Sequence, residues 1–307
     1  MNLDDLRLFC NAAQRASFAA TALDNGTTPA HVSKRIAVLE QQLGVRLFHR
    51  TSRRVVISEE GERIYAWARR ILEDVAAMHE SVAGQRQEPV GVLRVSTSLR
   101  LGRNHVSHVL ALMEARYPRL DIWLEILDRR ADLVEEGIDV DVRIGDPVQP
   151  QLIGHRIAAG RRVLCAAPQY LAQRPAPRSL AELAEHQCLL FRDREQAFGV
   201  WRLQGPSGME SVKLTGRLGS NHSDIIHNWL LDGKGVALLS AWDVASHLAQ
   251  GRLVRLLPAY SEPADVWAMT SARTAGSAKV RACIDYLQRE LTQGPYALQT
   301  TLPGETP

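Results

Sequence analysis

Between Ser17 and Arg63 two short helical patterns meet at a turn, and a basic, β-branched segment and a fresh helix start follow. Ser17 is a fitting N-cap for a short helix over Phe18–Leu23, and Asn25-Gly26 is turn chemistry because both residues tolerate positive φ. Thr28-Pro29 then reads as an N-cap followed by proline at the first helical position. The helix it opens runs to Leu43 with Val32, Ile36, Leu39 and Leu43 on one face, and Gly44 stops it. Before this pair, Leu6, Phe9, Cys10 and Ala13 give Leu3–Ala16 helical spacing. Arg53–Ser58 alternates and reads as a wing strand. A helix-turn-helix of this kind offers a duplex the exposed first turn of its second helix, while flanking cations hold phosphates.

The net charge of the 307 residues is only +3, so a nucleic-acid face must concentrate its charge locally. It does: Lys34, Arg35, Arg46, Arg50, Arg53 and Arg54 fall between Thr28 and Ile57 against Glu40 alone. A solvated face is the bland alternative, but the cluster coincides with the helix-turn-helix pattern. The first turn from Pro29 presents Thr28, Ala30, His31, Ser33 and Lys34. Lys34 suits guanine O6/N7 and Ala30 a thymine methyl, and His31 suits a base edge or phosphate unless it is simply solvated. Arg53 and Arg54 lie on the wing, for the minor groove or phosphates. Arg35, Arg46 and Arg50 are either phosphate contacts or partners of acids on the following helix.

That helix opens at Ser58-Glu59-Glu60 and carries apolar residues at Ile64, Ala68, Ile71, Val75, Met78 and Val82. The steps alternate four and three, a heptad seam on a helix roughly 38 Å long. We expect this seam to dimerise; packing on its own domain is the alternative. The polar break Gln85–Pro89 then marks a domain boundary.

Beyond it strands and helices alternate. Strands are expected at Val92–Ser96, Asp121–Leu127, Val140–Ile144, Arg161–Ala166, Leu189–Phe191, Val200–Leu203, Val212–Leu218 and Val236–Leu239. Helices are expected at Asn104–Tyr117, Arg130–Glu136, Ser223–Asp232 and Ala278–Leu291. Such alternation implies βαβ units and a largely parallel sheet. In open α/β folds ligands sit beyond the carboxyl ends of strands, often at helix N-termini. The candidate effector contacts are therefore Ser96, Thr97, Ser98, Leu99 and Arg100 after the first strand, Ile144 and Gly145 after another, and Ser220 and Asn221 before a helix. Capping is the plain alternative for the hydroxyls. Arg143 sits in a strand that reads as buried, so it needs a ligand anion or an internal acid. Trp201 and Trp242 are either pocket walls or core.

Several classes are excluded or disfavoured. Cys10, Cys165, Cys188 and Cys283 are scattered, without zinc-finger spacing, and read as small buried hydrophobes of a reducing cytosol. No secretory signal follows Met1, no run approaches a membrane span, and a cytoplasmic protein is expected. There is no G-x-S-x-G elbow, no H-E-x-x-H and no P-loop frame, so we expect no enzyme, no cofactor and no metal. Asn221-His222-Ser223-Asp224 sets triad-type residues side by side, which is poor triad geometry.

Ser17-Phe18-Ala19-Ala20-Thr21-Ala22 does not stand alone: with Val32-Ser33-Lys34-x-Ile36-x-x-Leu39-Glu40-x-x-Leu43-Gly44-x-x-Leu47-Phe48-x-Arg50 and Glu60-Gly61, the run resembles the N-terminal domain of LysR-type transcriptional regulators. Glu136–Gly145 and Gly233–Leu239 resemble two effector-domain strands of the same family, so the likeness extends to about residue 292. It implies a winged helix-turn-helix (1–58), a linker and dimerisation helix with hinge (59–88), and a two-lobed α/β effector domain of the type-2 periplasmic-binding-protein fold (89–292). A loose tail (293–307) is expected after it. The implied partners are a double-stranded DNA operator, a small-molecule effector and a second copy, as dimer or tetramer; RNA polymerase is a further candidate. We expect the effector to be a small organic anion that modulates operator binding or bending. A constitutive architectural protein is the alternative. Two departures stand out: Pro29 replaces a common glutamine, which transfers base reading to its neighbours, and Ser240 replaces a common proline. Ala241-Trp242-Asp243-Val244 resembles a subgroup related to malate- and tartrate-responsive regulators.

Overall fold

A computed structural model describes residues 2–50, 55–83, 88–145, 149–192, 199–299, 301–303 and 305. The chain divides into two compact units, residues 1–87 and 88–307.

The first unit is built by its caps. In α1 (Leu3–Arg15) Asn2 and Asp5 form a reciprocal capping box, and Ser17 caps α2 (Phe18–Asp24) by accepting from Ala20 N. Thr28 caps α3 (Pro29–Leu43) by accepting from His31 N, and Gly44 ends it at φ 70°. Val32, Ile36 and Leu39 are fully buried against α1, as their spacing requires. β1 (Phe48–Arg50) pairs antiparallel with β2 (Val55–Ile57), which forms the described part of the wing; Arg53 and Arg54 lie outside the described residues. Phe48 is the keystone, edge-on to Phe9 at 5.6 Å and to Phe18 at 5.5 Å. The long helix α4 (Glu59–Ala83) starts beside β1 so closely that a Cβ on Gly61 would stand 2.3 Å from the Leu47 carbonyl oxygen. No larger residue fits there without moving backbone.

The seam on α4 is corrected by this packing. Ala68 is 1% exposed within the unit's own core, and Ile64 and Ile71 pack against the same core. A helix lying across α1 spends its first apolar turns there, so half of the heptad stripe is already covered. Trp67 and Met78 are instead exposed, Val75 is half-buried, and the side chain of Val82 lies outside the described residues.

The second unit has two lobes. In lobe I, β3 (Gly91–Thr97) leads into α5 (Leu99–Leu101), a π-helical turn (Gly102–Val106) and α6 (Ser107–Arg116), then β4 (Leu120–Ile126) and β5 (Val140–Ile144). β6 (Leu152–Ala158) completes its first pass. Lobe II contains β7 (Arg161–Ala166), α7 (Pro168–Leu171), α8 (Leu180–Leu183), β8 (Leu189–Phe191), β9 (Val200–Gly205), β10 (Gly208–Lys213) and β11 (Leu218–Ser220). It continues through α9 (Ser223–Leu231), β12 (Val236–Ser240), α10 (Ala241–Ala249), β13 (Val254–Leu256) and β14 (Glu262–Pro263). The chain then returns to lobe I with β15 (Val266–Ser271) and α11 (Ala278–Thr292).

The lobe I sheet has the order β4-β3-β5-β15-β6, parallel at β3 with β4 and β5 but antiparallel at both β15 pairings. The lobe II sheet, β12-β7-β13 with β14 also on β7, is antiparallel throughout. The expectation of a largely parallel sheet is thus corrected to a mixed one, because β15 returns from the other lobe and enters reversed. Arg130–Glu136 is a turn and not a helix. Asp132 Oδ1 accepts from the Val134 and Glu135 amides, Glu136 accepts from the Asp132 amide, and Gly137 turns the chain at φ 67°. The strand expected over Val212–Leu218 is split between β10 and β11. Gly216 lies between them, where a Cβ would meet the Cys188 carbonyl oxygen at 1.9 Å.

The described residues of the expected loose tail are packed. Leu298 packs into the lobe I core, Leu302 into a lobe II core, and Glu305 pairs with both Arg161 and Arg255. His105 Nδ1 is 2.9 Å from the Tyr296 carbonyl oxygen, and the Tyr296 ring stacks on His108 at 4.6 Å. A polar-looking tail with a leucine every few residues is here a strap across both lobes.

Candidate DNA interface and effector cleft

The tip of α3 stands clear of its own unit. Thr28, Ala30, His31 and Lys34 are exposed, and Ser33 is half-buried. Among the described residues no hydrogen bond or ion pair engages the Lys34 ammonium. Arg35, in contrast, reaches back to Asp5, to which its Nε donates at 2.7 Å. Asp5 is buried, so Arg35 holds α3 against α1; its acid partner is on α1 and not on the linker helix. The side chain of Arg50 lies outside the described residues. Glu40, the lone acid of the basic stretch, has a structural task that its charge concealed: Oε1 accepts the Leu47 amide at 2.9 Å and the Phe48 amide at 3.3 Å. It fixes the start of the wing to α3. A groove of about 460 Å³ lies beside α1, lined by Arg7, Cys10, Gln14, Arg15 and Leu72 among others, well apart from the α3 tip in sequence.

In lobe I the expected effector residues part company. Ser96 is fully buried and donates to Asp141 Oδ1 at 2.8 Å; Asp141 also binds Arg143. Arg143 therefore has an internal acid. Thr97 is 1% exposed and its Oγ1 has no hydrogen-bond partner among the described residues. Ser98 precedes α5 but makes no side-chain cap bond. The Leu99 amide donates to Asp128 Oδ1 at 3.3 Å, and His222 Nδ1 of lobe II lies 2.5 Å from Asp128 Oδ2. Gly145 turns the chain at φ 100°, with Ile144 half-buried before it. Ser220 Oγ accepts from the His222 amide, and Asn221 is exposed. Trp201 and Trp242 are both core, Trp242 reaching from lobe II into the lobe I cluster.

Arg100 is the largest correction. It is buried, and Nε lies 2.7 Å from both oxygens of Asp243, with Nη2 at 2.5 Å from Oδ1. Its Nη1 donates to Asp224 Oδ1 at 2.7 Å, and Arg103 reaches the same oxygen at 3.3 Å. His227 Nδ1 is 3.3 Å from Asp243 Oδ2, and its Nε2 is 3.2 Å from His247 Nε2. Burial alone would depress the guanidinium, but Asp243 and Asp224 outweigh it and raise it further above its ordinary value. Burial pushes the Asp243 carboxyl up, yet hydrogen bonds from His227 and Arg100 hold it below the usual carboxylate range. Burial, with the neighbouring His227, keeps the His247 imidazole less basic than usual. The cation expected to greet a ligand is thus neutralised across the lobe junction by acids of α9 and α10. A sequence signal existed: Asp224 with His227 and Asp243 with His247 sit three and four apart, on the apolar faces of two short helices.

A family description for bacterial regulatory helix-turn-helix proteins of the lysR family matches residues 3–62, and one for the LysR substrate binding domain matches residues 86–292. The chain belongs to the LysR family. The HTH-type transcriptional regulator DmlR of Escherichia coli (strain K12) is 49% identical over 287 residues, covering 94% of each chain. The transcriptional activator TtdR of the same strain is 38% identical over 283 residues, 92% of this chain and 91% of that one. Two full-length solved structures share the architecture. AphB of Vibrio cholerae has a TM-score of 0.56 at 28% identity, covering 94% of this chain and 98% of that one. CrgA of Neisseria meningitidis has a TM-score of 0.59 at 27%, covering 95% and 100%. As a LysR regulator this chain binds DNA and a small-molecule effector, forms oligomers and is not an enzyme. No helix among its described residues is long and apolar enough to cross a membrane. Burial pushes the Cys165, Cys188 and Cys283 thiols each up to about 12, so these three stay protonated near neutral pH.

Proposed function

We propose that this LysR regulator reads its operator with Ala30, His31 and Lys34, set by Thr28 and Ser33. Arg50, Arg53 and Arg54 supply phosphate or minor-groove contacts, and Arg35 orients α3 from behind. The observation that carries the reading is the exposed, capped first turn of α3 above a fully buried opposite face. Lys34→Ala is expected to cost about 1–3 kcal/mol of specific binding and to relax specificity at one base pair. Electrophoretic titration on operator and on random duplex measures both; an unchanged ratio removes Lys34 from the reading set.

The effector in this proposal is a small organic anion held between the lobes near Thr97–Arg100, Gly145 and Ser220-Asn221. Two guanidiniums, Arg100 and Arg103, face lobe II there. The subgroup resemblance, and the likeness to DmlR and TtdR, make malate and tartrate the first compounds to try. The protein acts in the cytoplasm as a dimer or tetramer, α4 supplying a dimer face through Trp67, Val75 and Met78, and RNA polymerase is a further partner. DNase footprinting with and without malate and tartrate, beside a thermal-shift panel of small acids, tests the sensor. Stabilisation by neutral or cationic compounds alone overturns the anion, and a footprint indifferent to every compound favours a constitutive architectural role.

A further inference from the structure

The two carboxylates on Arg100 differ in a way that separates scaffold from switch. Asp243 is 4% exposed, engages Nε with both oxygens, and is backed by His227. It is a permanent counter-ion. Asp224 is 21% exposed and uses one oxygen, Oδ1, for both Arg100 Nη1 and Arg103 Nη2. Arg103 is itself 55% exposed. One carboxylate oxygen between two guanidiniums is the arrangement of an anion seat. Here the anion comes from α9 of lobe II and the cations from lobe I, so the contact exists only while the lobes keep this spacing.

We propose that Asp224 is a built-in occupant of the effector's carboxylate seat, displaced when a free carboxylate binds. This rests on the anion reading above. Exchange of one carboxylate for another leaves the charge on Arg100 and Arg103 balanced, so no buried charge is stranded. A free carboxylate brings two oxygens to Arg100 and Arg103, and Asp224 on the cleft rim turns to solvent. Binding therefore cuts a lobe-to-lobe tie and frees the start of α9. Asp224 is a specificity residue in this account: it sets a threshold that favours acids with further polar groups over simple monocarboxylates, which gain only what Asp224 already provides.

Full-length wild type, Asp224→Ala, Asp224→Asn and Asp224→Glu carry the test. In thermal denaturation with sodium acetate, matched to sodium chloride of equal ionic strength, Asp224→Ala is expected to gain a saturable rise of about 3 °C. Wild type and Asp224→Glu gain none. If Asp224→Ala does not fold, Asp224→Asn carries the same comparison. Acetate that stabilises all four proteins alike, or none, overturns the proposal. Calorimetry with malate forms the second arm, where Asp224→Asn is expected to bind about tenfold tighter than wild type, the internal competitor being gone. Equal or weaker binding overturns displacement. Acetate rescue with no malate binding to any variant leaves the seat standing and removes malate as effector; malate binding without acetate rescue does the reverse.

Discussion

Arg100→Met is expected to destabilise the regulatory unit by about 3–5 kcal/mol, the cost of removing one partner from a buried ion pair. The loss is large because Asp243 cannot escape to water: it is 4% exposed and left with His227 alone. The shape of the pH dependence is as informative as its size. In wild type the Asp243 carboxyl is held below its ordinary value, so its contribution is present above the unfolded value of about 4 and is lost as pH falls through the folded one. Without Arg100, burial dominates and raises that carboxyl. Its contribution then survives only at low pH and turns unfavourable as pH climbs from about 4 towards neutrality. Urea denaturation at pH 4.5 and pH 7 measures both. The variant should lose more stability relative to wild type at the higher pH, and a pH-independent difference would show that Asp243 is solvated in ways the geometry denies.

Leu302→Ala is expected to cost about 2–5 kcal/mol, the range for a buried leucine truncated in a core that cannot fully collapse. Leu302 is 2% exposed among lobe II residues, ten positions beyond the end of α11. Leu298 is held in the other lobe, and Glu305 closes on Arg161 and Arg255. The strap therefore resists any motion that parts the lobes, and a chain stopped after Gln293 should lose at least as much stability as the point variant. Denaturant midpoints of the two give the comparison. A truncated chain with the wild-type midpoint would return the segment to the loose tail its composition suggests.

The helix-turn-helix was legible because every signal in it is local. Thr28 caps within three residues, Pro29 and Gly44 mark the ends, and Val32, Ile36 and Leu39 share one face whatever else the chain does. The same holds for Val140–Ile144 and Ala278–Leu291, where period and composition agree. The failures share a different cause. Arg130–Glu136 carries helix-forming residues, but Asp132 and Glu136 spend their side chains on neighbouring amides and fold the segment into a turn. β6 and β15 are not legible along the chain because each is stabilised by a distant partner: β15 pairs with β5 and β6 across more than a hundred residues. Ala68 looked like an interface residue until α1 was laid across it.

For the sites, residue type gave the candidates and packing gave their roles. Lys34 and His31 keep the exposure that their place at a helix tip implies. Arg100 does not, since a cation expected for a ligand meets Asp224 and Asp243 more than a hundred positions later. By itself the sequence determined a DNA reader joined to an α/β unit, because caps, turns, period and local charge act over a few residues and survive without context; the two lobes and the sensor role entered only with the family resemblance. Only the tertiary structure decided which charges are free to act. An ion pair depends on separation in space and on burial, and neither is written in the spacing along the chain.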